Sequence, residues 1–317
     1  MEQRKIQLVA GMTYTLSLPK PWIIKNSLKE GQLLLITEQD NGSLVLSKSI
    51  STALSKESIS LNINEYSKNI EQILLKLYYL GFETIELFSK ELNKETKKKI
   101  RATLPSLIGA EIIREEENKI IIRILLDKTK VDVEQSMFRM SLIIEQMILN
   151  LLEEIDVQEM ILNENETDRL YHLITKMLSL SLSDSSLLQS SKIKNINFII
   201  HYMLIVKRLE SIGDHIYWLA KYIAHNKKSL EVQHKKAVTD FLRRELNRSI
   251  RHIMADYPAI FSLPSTEEIK RVHDYIHLIK DEKIKEHLNH SVKLVLDNEG
   301  EIVLMSFSNQ LAKEKII

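Results

Sequence analysis

Two pairs of carboxylates in this sequence share a spacing that suits metal binding. Glu210 and Asp214 lie four residues apart within residues 197–224, where apolar residues recur every three or four positions. This periodicity predicts a helix, and residues four apart on a helix project from the same face. Glu164 and Asp168 repeat the spacing on a second predicted helix. Two such pairs on neighbouring helices could supply four carboxylates to one metal site.

The stretch around Gly213 carries two local penalties that call for an explanation. Like charges one helical turn apart repel by about a few tenths of a kcal/mol, and a glycine inside a helix costs about 1 kcal/mol relative to alanine. These penalties indicate a compensating cation or a close neighbour at this point. Two simpler interpretations stay open: a solvated face with a tolerated glycine, or acids that pair with Lys207 or Lys221 on the same face.

The available donor atoms narrow the choice of ion. The chain has no cysteine, and four carboxylates favour hard or borderline ions such as Mg²⁺, Mn²⁺ or Fe, and less typically Zn²⁺. His172 lies four residues beyond Asp168 and is either a further ligand or a partly exposed neutral histidine. His215 follows Asp214 but lies about 100° round the helix. We therefore expect His215 to pack or to donate a hydrogen bond elsewhere.

Composition excludes several classes of function. The 317 residues are 44% hydrophobic and 27% charged, as in a soluble globular protein, and the net charge of +1 means that DNA binding would need a local basic patch. The absence of cysteine excludes disulfides and thiol nucleophiles, and no Ser/His/Asp, HExxH or Walker pattern supports an enzyme. The first six residues contain no apolar run, so we expect no signal peptide, no membrane insertion and a cytoplasmic location.

Residues 1–48 are predicted to form a small β domain. Short β-rich runs surround Gly11, Asn41-Gly42 is a strong hairpin signal, and residues 21–24 could form one helical turn. This ββαββ order is too short to bury a good core by itself. We therefore expect the segment to dimerise, which makes a homodimer the expected state of the protein.

The rest of the chain divides into two predicted domains. The Ser-rich residues 49–56 read as a linker, and residues 57–127 alternate between strand and helix, which predicts a small α/β sandwich. Residues 131–317 are predicted to be helical, although 286–311 could form two strands or two helices. No second acid pair with Asp at the fourth position is present there, which suggests a single metal site.

The N-terminal segment resembles the AbrB/SpoVT family of swapped-hairpin DNA-binding domains. The resemblance rests on six features of the segment, which are Arg4-Lys5, Gly11, Ser17-Leu18, Pro19-Lys20, Leu28 and Gly31. It implies a dimer that binds double-stranded DNA, with Arg4, Lys5 and Lys20 contacting phosphates. The chain departs from the family at Met12 and Gln32, where an arginine and an aspartate are common. The alternative is a dimerisation module with scattered basic residues.

One sequence segment resembles the signature of the PhoU family of phosphate-uptake regulators, namely Arg208-Leu-Glu-Ser-Ile-Gly-Asp-His215. That resemblance implies three-helix bundles whose paired acidic motifs hold metal ions. We therefore expect an α+β multidomain protein: a swapped-hairpin β domain, an α/β sandwich and a PhoU-like helical bundle. Its expected function is transcriptional regulation of phosphate uptake. The alternative is an adaptor that docks on a phosphate transporter or a kinase and uses the N-terminal sheet only to dimerise.

Overall fold

The computed structural model describes residues 3–9, 11–38, 42–48, 56–64, 66–153, 155–193, 195–228 and 232–314. Most of the predicted linker, 49–55, and Asn41 of the predicted hairpin turn lie outside these residues. The chain forms two compact units, Met1–Ala53 and Leu54–Ile317.

The first unit has the predicted ββαββ order but buries almost nothing. Strands β1 (Gln7–Val9) and β2 (Thr13–Thr15) pair antiparallel, helix α1 spans Lys20–Lys25, and β3 (Leu34–Glu38) pairs antiparallel with β4 (Leu44–Lys48). Gly11 joins β1 to β2 with a φ of +73°, a conformation that glycine adopts without strain. None of the side chains whose burial is described in this unit is buried. The apolar faces of both hairpins are therefore left uncovered within one chain.

The second unit begins with a small sheet that carries two helices. In chain order its elements are β5 (Lys56–Asn62), α2 (Ile70–Tyr79), β6 (Phe82–Phe88), α3 (Lys94–Thr103), β7 (Ala110–Glu115) and β8 (Lys119–Ile124). The sheet order is β5-β6-β8-β7, with β5 and β6 parallel and the other pairs antiparallel. Its hydrophobic cluster includes Leu74, Leu87 and Ile122. The elements follow the predicted α/β alternation.

Among the residues that the structure describes, seven α-helices follow the sheet layer. They are α4 (Val133–Asn150), α5 (Val157–Ser181), α6 (Ser185–Ser190), α7 (Phe198–His225), α8 (Val232–Met254), α9 (Thr266–His277) and α10 (Glu282–Lys313). The serine-rich connection between the two acid-bearing helices contains the short helix α6. The ambiguous C-terminal stretch is neither two strands nor two helices, because α10 continues through Gly300 without a break.

Helices α5 and α10 begin where acidic side chains cap them. The side chain of Asp156 accepts hydrogen bonds from the backbone N–H groups of Gln158 and Glu159 at the start of α5, and Asp281 caps α10 in the same way.

Helix α7 packs against α4, α5 and α10, and Leu209, Ile212 and Ile216 of its apolar stripe are fully buried. The stripe fixes which face of α7 meets its neighbours.

The sheet layer and the helical bundle make polar contacts as well as apolar ones. The Tyr79 hydroxyl on α2 lies 2.6 Å from Nδ1 of His172 on α5, and Lys176 Nζ lies 3.9 Å from the centroid of the Tyr78 ring. These contacts belong to one compact unit with two hydrophobic clusters. The α+β multidomain fold class is confirmed, whereas the division at 57–127 and 131–317 stays a prediction.

Candidate metal centre

Three of the four predicted ligands converge between two antiparallel helices. Glu164 and Asp168 lie one turn apart on α5, and Asp214 lies opposite them on α7. One carboxylate oxygen from each of the three lies within 4.8 Å of the others, and all three side chains are half-buried. The three acids come from separate parts of the sequence and meet because α5 packs on α7.

Gly213 lets these two helices approach each other beside the acids. A Cβ atom at this position would lie 3.3 Å from Cγ2 of Thr167, closer than most side-chain contacts. Thr167 is buried and its hydroxyl donates to the carbonyl of Asn163 at 2.9 Å, so its side chain has little freedom to move. Gly213 and Thr167 directly precede Asp214 and Asp168. The close neighbour that the sequence suggested is therefore present.

Glu210, the fourth predicted ligand, has a different partner. Both of its carboxylate oxygens accept hydrogen bonds from Lys207 Nζ, at 2.6 and 2.7 Å. The Lys207 ammonium also lies 5.1 Å from the centroid of the Tyr171 ring. The prediction that basic neighbours neutralise the acids therefore describes Glu210, while the other three acids remain clustered with one another.

The clustered acids disfavour their own charged forms. Burial, followed by the charges of Glu164, Asp214 and Glu210, raises the pKa of Asp168 to about 7. Burial and then Glu210 and Glu164 raise the pKa of Asp214 to about 6. Burial also raises the pKa of Glu164, with Lys221 opposing the shift. A bound cation would reverse these effects, because it favours the deprotonated carboxylates.

The two neighbouring histidines are held elsewhere. Nδ1 of His172 is engaged by Tyr79, and burial lowers the pKa of His172 to about 4, so the ring is neutral. This position matches the prediction of a neutral histidine better than that of a ligand. His215 faces α10, where its Nδ1 lies 3.1 Å from Nδ1 of His287. It therefore makes a hydrogen bond away from the acids, as its angle on the helix predicts.

Sequence reasoning missed a second acid pair on α10. Asp297 and Glu301 are four apart, and Gly300 stands where Gly213 stands relative to its own acids. A search for glutamate as well as aspartate at the fourth position would have found this pair. Glu301 accepts hydrogen bonds from Arg208 at 3.0 Å and pairs with His201 at 2.7 Å. The guanidinium of Arg208 thus neutralises Glu301, and in this the pair differs from the cluster of Glu164, Asp168 and Asp214.

The predicted DNA-contacting residues all lie on the surface of the first unit. Arg4 and Lys5 precede β1, Lys20 is the first residue of α1, and all three side chains are exposed. Nη1 of Arg4 lies 3.5 Å from the hydroxyl oxygen of Ser17, and Ser17 is three residues before Lys20. The contact brings Arg4 close to the segment that leads into α1.

The donor set fits an oxygen-preferring cation. Three half-buried carboxylates with raised pKa values form a site whose empty state is unfavourable at neutral pH. Carboxylate oxygens suit Mg²⁺, Mn²⁺ and Fe, and Nδ1 of His172 is already bonded to the hydroxyl of Tyr79. The arrangement describes a helical bundle with a carboxylate site between two of its helices.

Comparison with known families agrees with this architecture. The family model of the PhoU domain matches residues 135–223, a segment that contains all four predicted ligands. The family model described as antidote-toxin recognition MazE, bacterial antitoxin, matches residues 7–53, which include Lys20 but begin after Arg4 and Lys5. No curated protein and no solved structure matched the chain. The predicted combination of a PhoU-like domain with a MazE/AbrB-like N-terminal segment is confirmed.

These matches support a coarse assignment. Together they indicate a phosphate-related regulator with an AbrB-like N-terminal domain, and both families are regulatory rather than enzymatic. Among the helices of the described residues, none has the length and apolar character needed to cross a membrane.

Proposed function

We propose that this protein is a cytoplasmic, homodimeric transcriptional regulator of phosphate uptake. The N-terminal domain binds double-stranded DNA, and the helical domain reports phosphate status through a bound metal ion. The protein acts by binding and conformational coupling, not by catalysis. It senses phosphate status directly or through a component of a phosphate-transport complex.

The observation that carries the proposal is the convergence of Glu164, Asp168 and Asp214 inside the segment that matches the PhoU domain. These three carboxylates would hold the ion, and Glu210 would join them if Lys207 released it. When bound, a divalent or trivalent cation supplies positive charge that neutralises the acids and can attract a phosphate oxygen. The ion would also tie α5 to α7, so its occupancy would change the stability of the bundle.

Thermal melting with Mg²⁺, Mn²⁺, Fe²⁺ and Zn²⁺ tests the metal site. The native chain should melt at a higher temperature as the concentration of the preferred ion rises, because the ion binds only the folded state. In the double variant Asp168→Asn, Asp214→Asn this increase should disappear. Without metal at pH 8, the same variant should melt above the native chain, since two mutually repelling charges are gone.

The matched control removes two acids that lie away from the cluster. Glu267 and Asp274 are exposed on α9, so Glu267→Gln with Asp274→Asn changes the net charge equally. This control should keep the full metal-induced increase. Equal increases in the native chain and the Asp168→Asn, Asp214→Asn variant would show that any bound ion lies elsewhere.

DNA binding is tested by fluorescence anisotropy on DNA from upstream of phosphate-transport genes. Replacing Arg4, Lys5 and Lys20 with alanine should weaken binding to every sequence. It should also lower the slope of log affinity against log salt by about 1 for each phosphate that the variant no longer neutralises. The control replaces the exposed lysines Lys270, Lys280 and Lys293 of α9, its C-terminal loop and α10, and should leave both quantities unchanged.

The alternative function makes the opposite prediction in the same assay. A protein-binding adaptor that uses the N-terminal sheet only to dimerise would show no measurable affinity for this DNA. The triple alanine variant would then behave as the native chain does. That result would reject DNA binding by this face while leaving the metal-binding experiment unaffected.

A further inference from the structure

Three histidines meet on the side of α7 that faces α10. His215 comes from α7, and His287 and His290 lie three residues apart on α10, so both project towards α7. They belong to neither the carboxylate cluster nor the acid pair of α10. No local sequence pattern marks this group, because His215 is separated from the other two by about seventy residues of chain.

The Nδ1 atoms of two of these rings are already separated by the distance expected for two nitrogen ligands of one metal ion. Nδ1 of His215 and Nδ1 of His287 are 3.1 Å apart. Two imidazole nitrogens bound to one zinc ion at about 2.0–2.1 Å must themselves lie roughly 3 to 3.5 Å apart. An ion could therefore replace the hydrogen bond between these nitrogens with little movement of either helix.

The imidazole of His290 can supply the third nitrogen ligand. His290 is exposed and stacks on His215, with ring centroids 5.0 Å apart and planes 12° apart. Its Nδ1 lies 3.0 Å from the carbonyl oxygen of Glu286. A carbonyl can only accept, so Nδ1 donates and Nε2 carries the lone pair that a metal needs. Rotation of this exposed side chain is required to bring Nε2 towards the other two nitrogens.

We propose that His215, His287 and His290 form a second metal site, which takes a borderline transition-metal ion of the class of Zn²⁺, Ni²⁺ or Cu²⁺ and joins α7 to α10. Imidazole nitrogens select such ions over Mg²⁺ and Mn²⁺, which the carboxylate cluster suits better. The carboxylate of Glu286 places a negative charge near His215 and His287 that favours a cation, while the ammonium of Lys283 near His287 opposes it.

The site has a clear structural consequence. Helix α7 carries Asp214 on one side and His215 on another, so the two sites would share one helix while drawing on different partners, α5 and α10. The histidine site would fasten the C-terminal helix to the helix that carries the acid pair. This site is independent of the proposed function, since it uses a separate set of side chains.

Isothermal titration with Zn²⁺ on the full chain tests the proposal, with Asp168→Asn and Asp214→Asn present throughout to remove the carboxylate cluster. This parent protein should bind Zn²⁺, and adding His287→Asn should weaken that affinity by about tenfold or more, because even outer-shell changes at metal sites cost about 10–100-fold. If His287→Asn fails to fold, His290→Asn replaces it, because His290 is exposed and its loss leaves the packing intact.

Cu²⁺ provides a second readout that a purely structural role would not affect. Its electron paramagnetic resonance spectrum should show splitting from bound imidazole nitrogens in the parent and lose part of it in either histidine variant. The control is His273→Asn with His277→Asn, a pair four residues apart on α9 that could bind metal adventitiously. The control should retain Zn²⁺ affinity and the nitrogen splitting. Loss in the control instead, or unchanged affinity in both α10 variants, would overturn the proposal.

Discussion

At the scale of single residues, Lys176 is a buried basic residue on α5, the helix that carries Glu164 and Asp168. Its side chain is 1% exposed and its Nζ lies over the ring of Tyr78. Burial is the main cause that lowers the pKa of Lys176 to about 7, and Lys128 adds to the effect while Glu83 opposes it. Because the pKa of Tyr78 is raised well above its usual range, the tyrosine does not titrate in the same interval.

The linkage of Lys176 to stability gives the first prediction. The folded pKa is about 7 and the ordinary value is 10.5, so between these values the unfolded chain binds more protons and stability rises with pH. The cost of burying the charge is fully present below pH 7 and disappears towards pH 10. Lys176→Met should therefore be more stable than the native chain at pH 6.5, with a difference that shrinks as pH rises.

Urea unfolding from pH 6.5 to pH 10 measures this difference. Lys98→Met, which replaces an exposed lysine on α3, should show no comparable trend. A stability difference for Lys176→Met that stays constant across the pH range would contradict the assigned pKa.

At the scale of elements, the separation between α5 and α7 depends on one missing side chain. Gly213 faces Thr167 at a distance that leaves no room for a methyl group without displacement. Gly300 occupies the corresponding place beside the acids of α10, but a Cβ there would meet nothing within 4 Å. The same glycine-to-alanine change should therefore have different effects on the two helices.

The second prediction compares Gly213→Ala with Gly300→Ala. Alanine favours a helix by about 1 kcal/mol over glycine, so Gly300→Ala should raise the free energy of unfolding by up to that amount. Gly213→Ala should gain less or lose stability, and the metal-induced increase in melting temperature should shrink, because the added methyl group pushes Asp214 away from α5.

The substitution Thr167→Ser should relieve the steric conflict that Gly213→Ala creates. It removes Cγ2, the atom that the new methyl group would meet, and keeps the hydroxyl that donates to Asn163. Adding it to Gly213→Ala should restore the metal-induced increase. If Gly213→Ala alone responds to metal as the native chain does, helix separation does not control the site.

A third prediction concerns the contact between the sheet layer and α5. Tyr79→Phe removes the hydroxyl that engages His172 and leaves a half-buried imidazole nitrogen without this partner, which costs up to about 1–3 kcal/mol. Chemical unfolding should show this loss. Tyr66→Phe, at an exposed tyrosine before α2, serves as the control and should change stability by less than about 0.5 kcal/mol.

At the scale of the whole molecule, the first unit has exposed apolar side chains that one chain does not cover. Leu8, Tyr14, Ile36 and Leu44 are each more than half exposed. Small sheets of this kind need partner strands to bury enough apolar surface. This exposure supports the expectation of a homodimer held together through the N-terminal unit.

The fourth prediction follows from this exposure. A fragment of residues 1–53 should be folded only as a dimer, and its circular dichroism should weaken on dilution as the dimer separates. In analytical ultracentrifugation, the full chain should be a dimer and a chain starting at residue 54 a monomer. A well-folded monomeric fragment at micromolar concentration would reject the prediction.

The sequence by itself determined the kind of elements and their order. The periodicity of Leu209, Ile212 and Ile216 predicted α7, and the alternation over residues 57–127 predicted the α/β layer, because both signals are local. The spacing of Glu164 to Asp168 likewise fixed both acids on one face of α5. Local rules failed over residues 286–311, for which two strands or two helices were predicted, because burial of the apolar side chains Val295, Ile302 and Met305 in the bundle favours one continuous helix.

Only the tertiary structure decided which charges meet. Asp214 joins Glu164 and Asp168 because Gly213 lets α7 approach Thr167, whereas Lys207 binds Glu210. Arg208 donates a hydrogen bond to Glu301 of the second acid pair from a position about ninety residues earlier in the chain. These partners lie on different helices, and their distances depend on helix packing and side-chain volume. Spacing along one helix sets the face a side chain occupies, but not the neighbour that the face will meet.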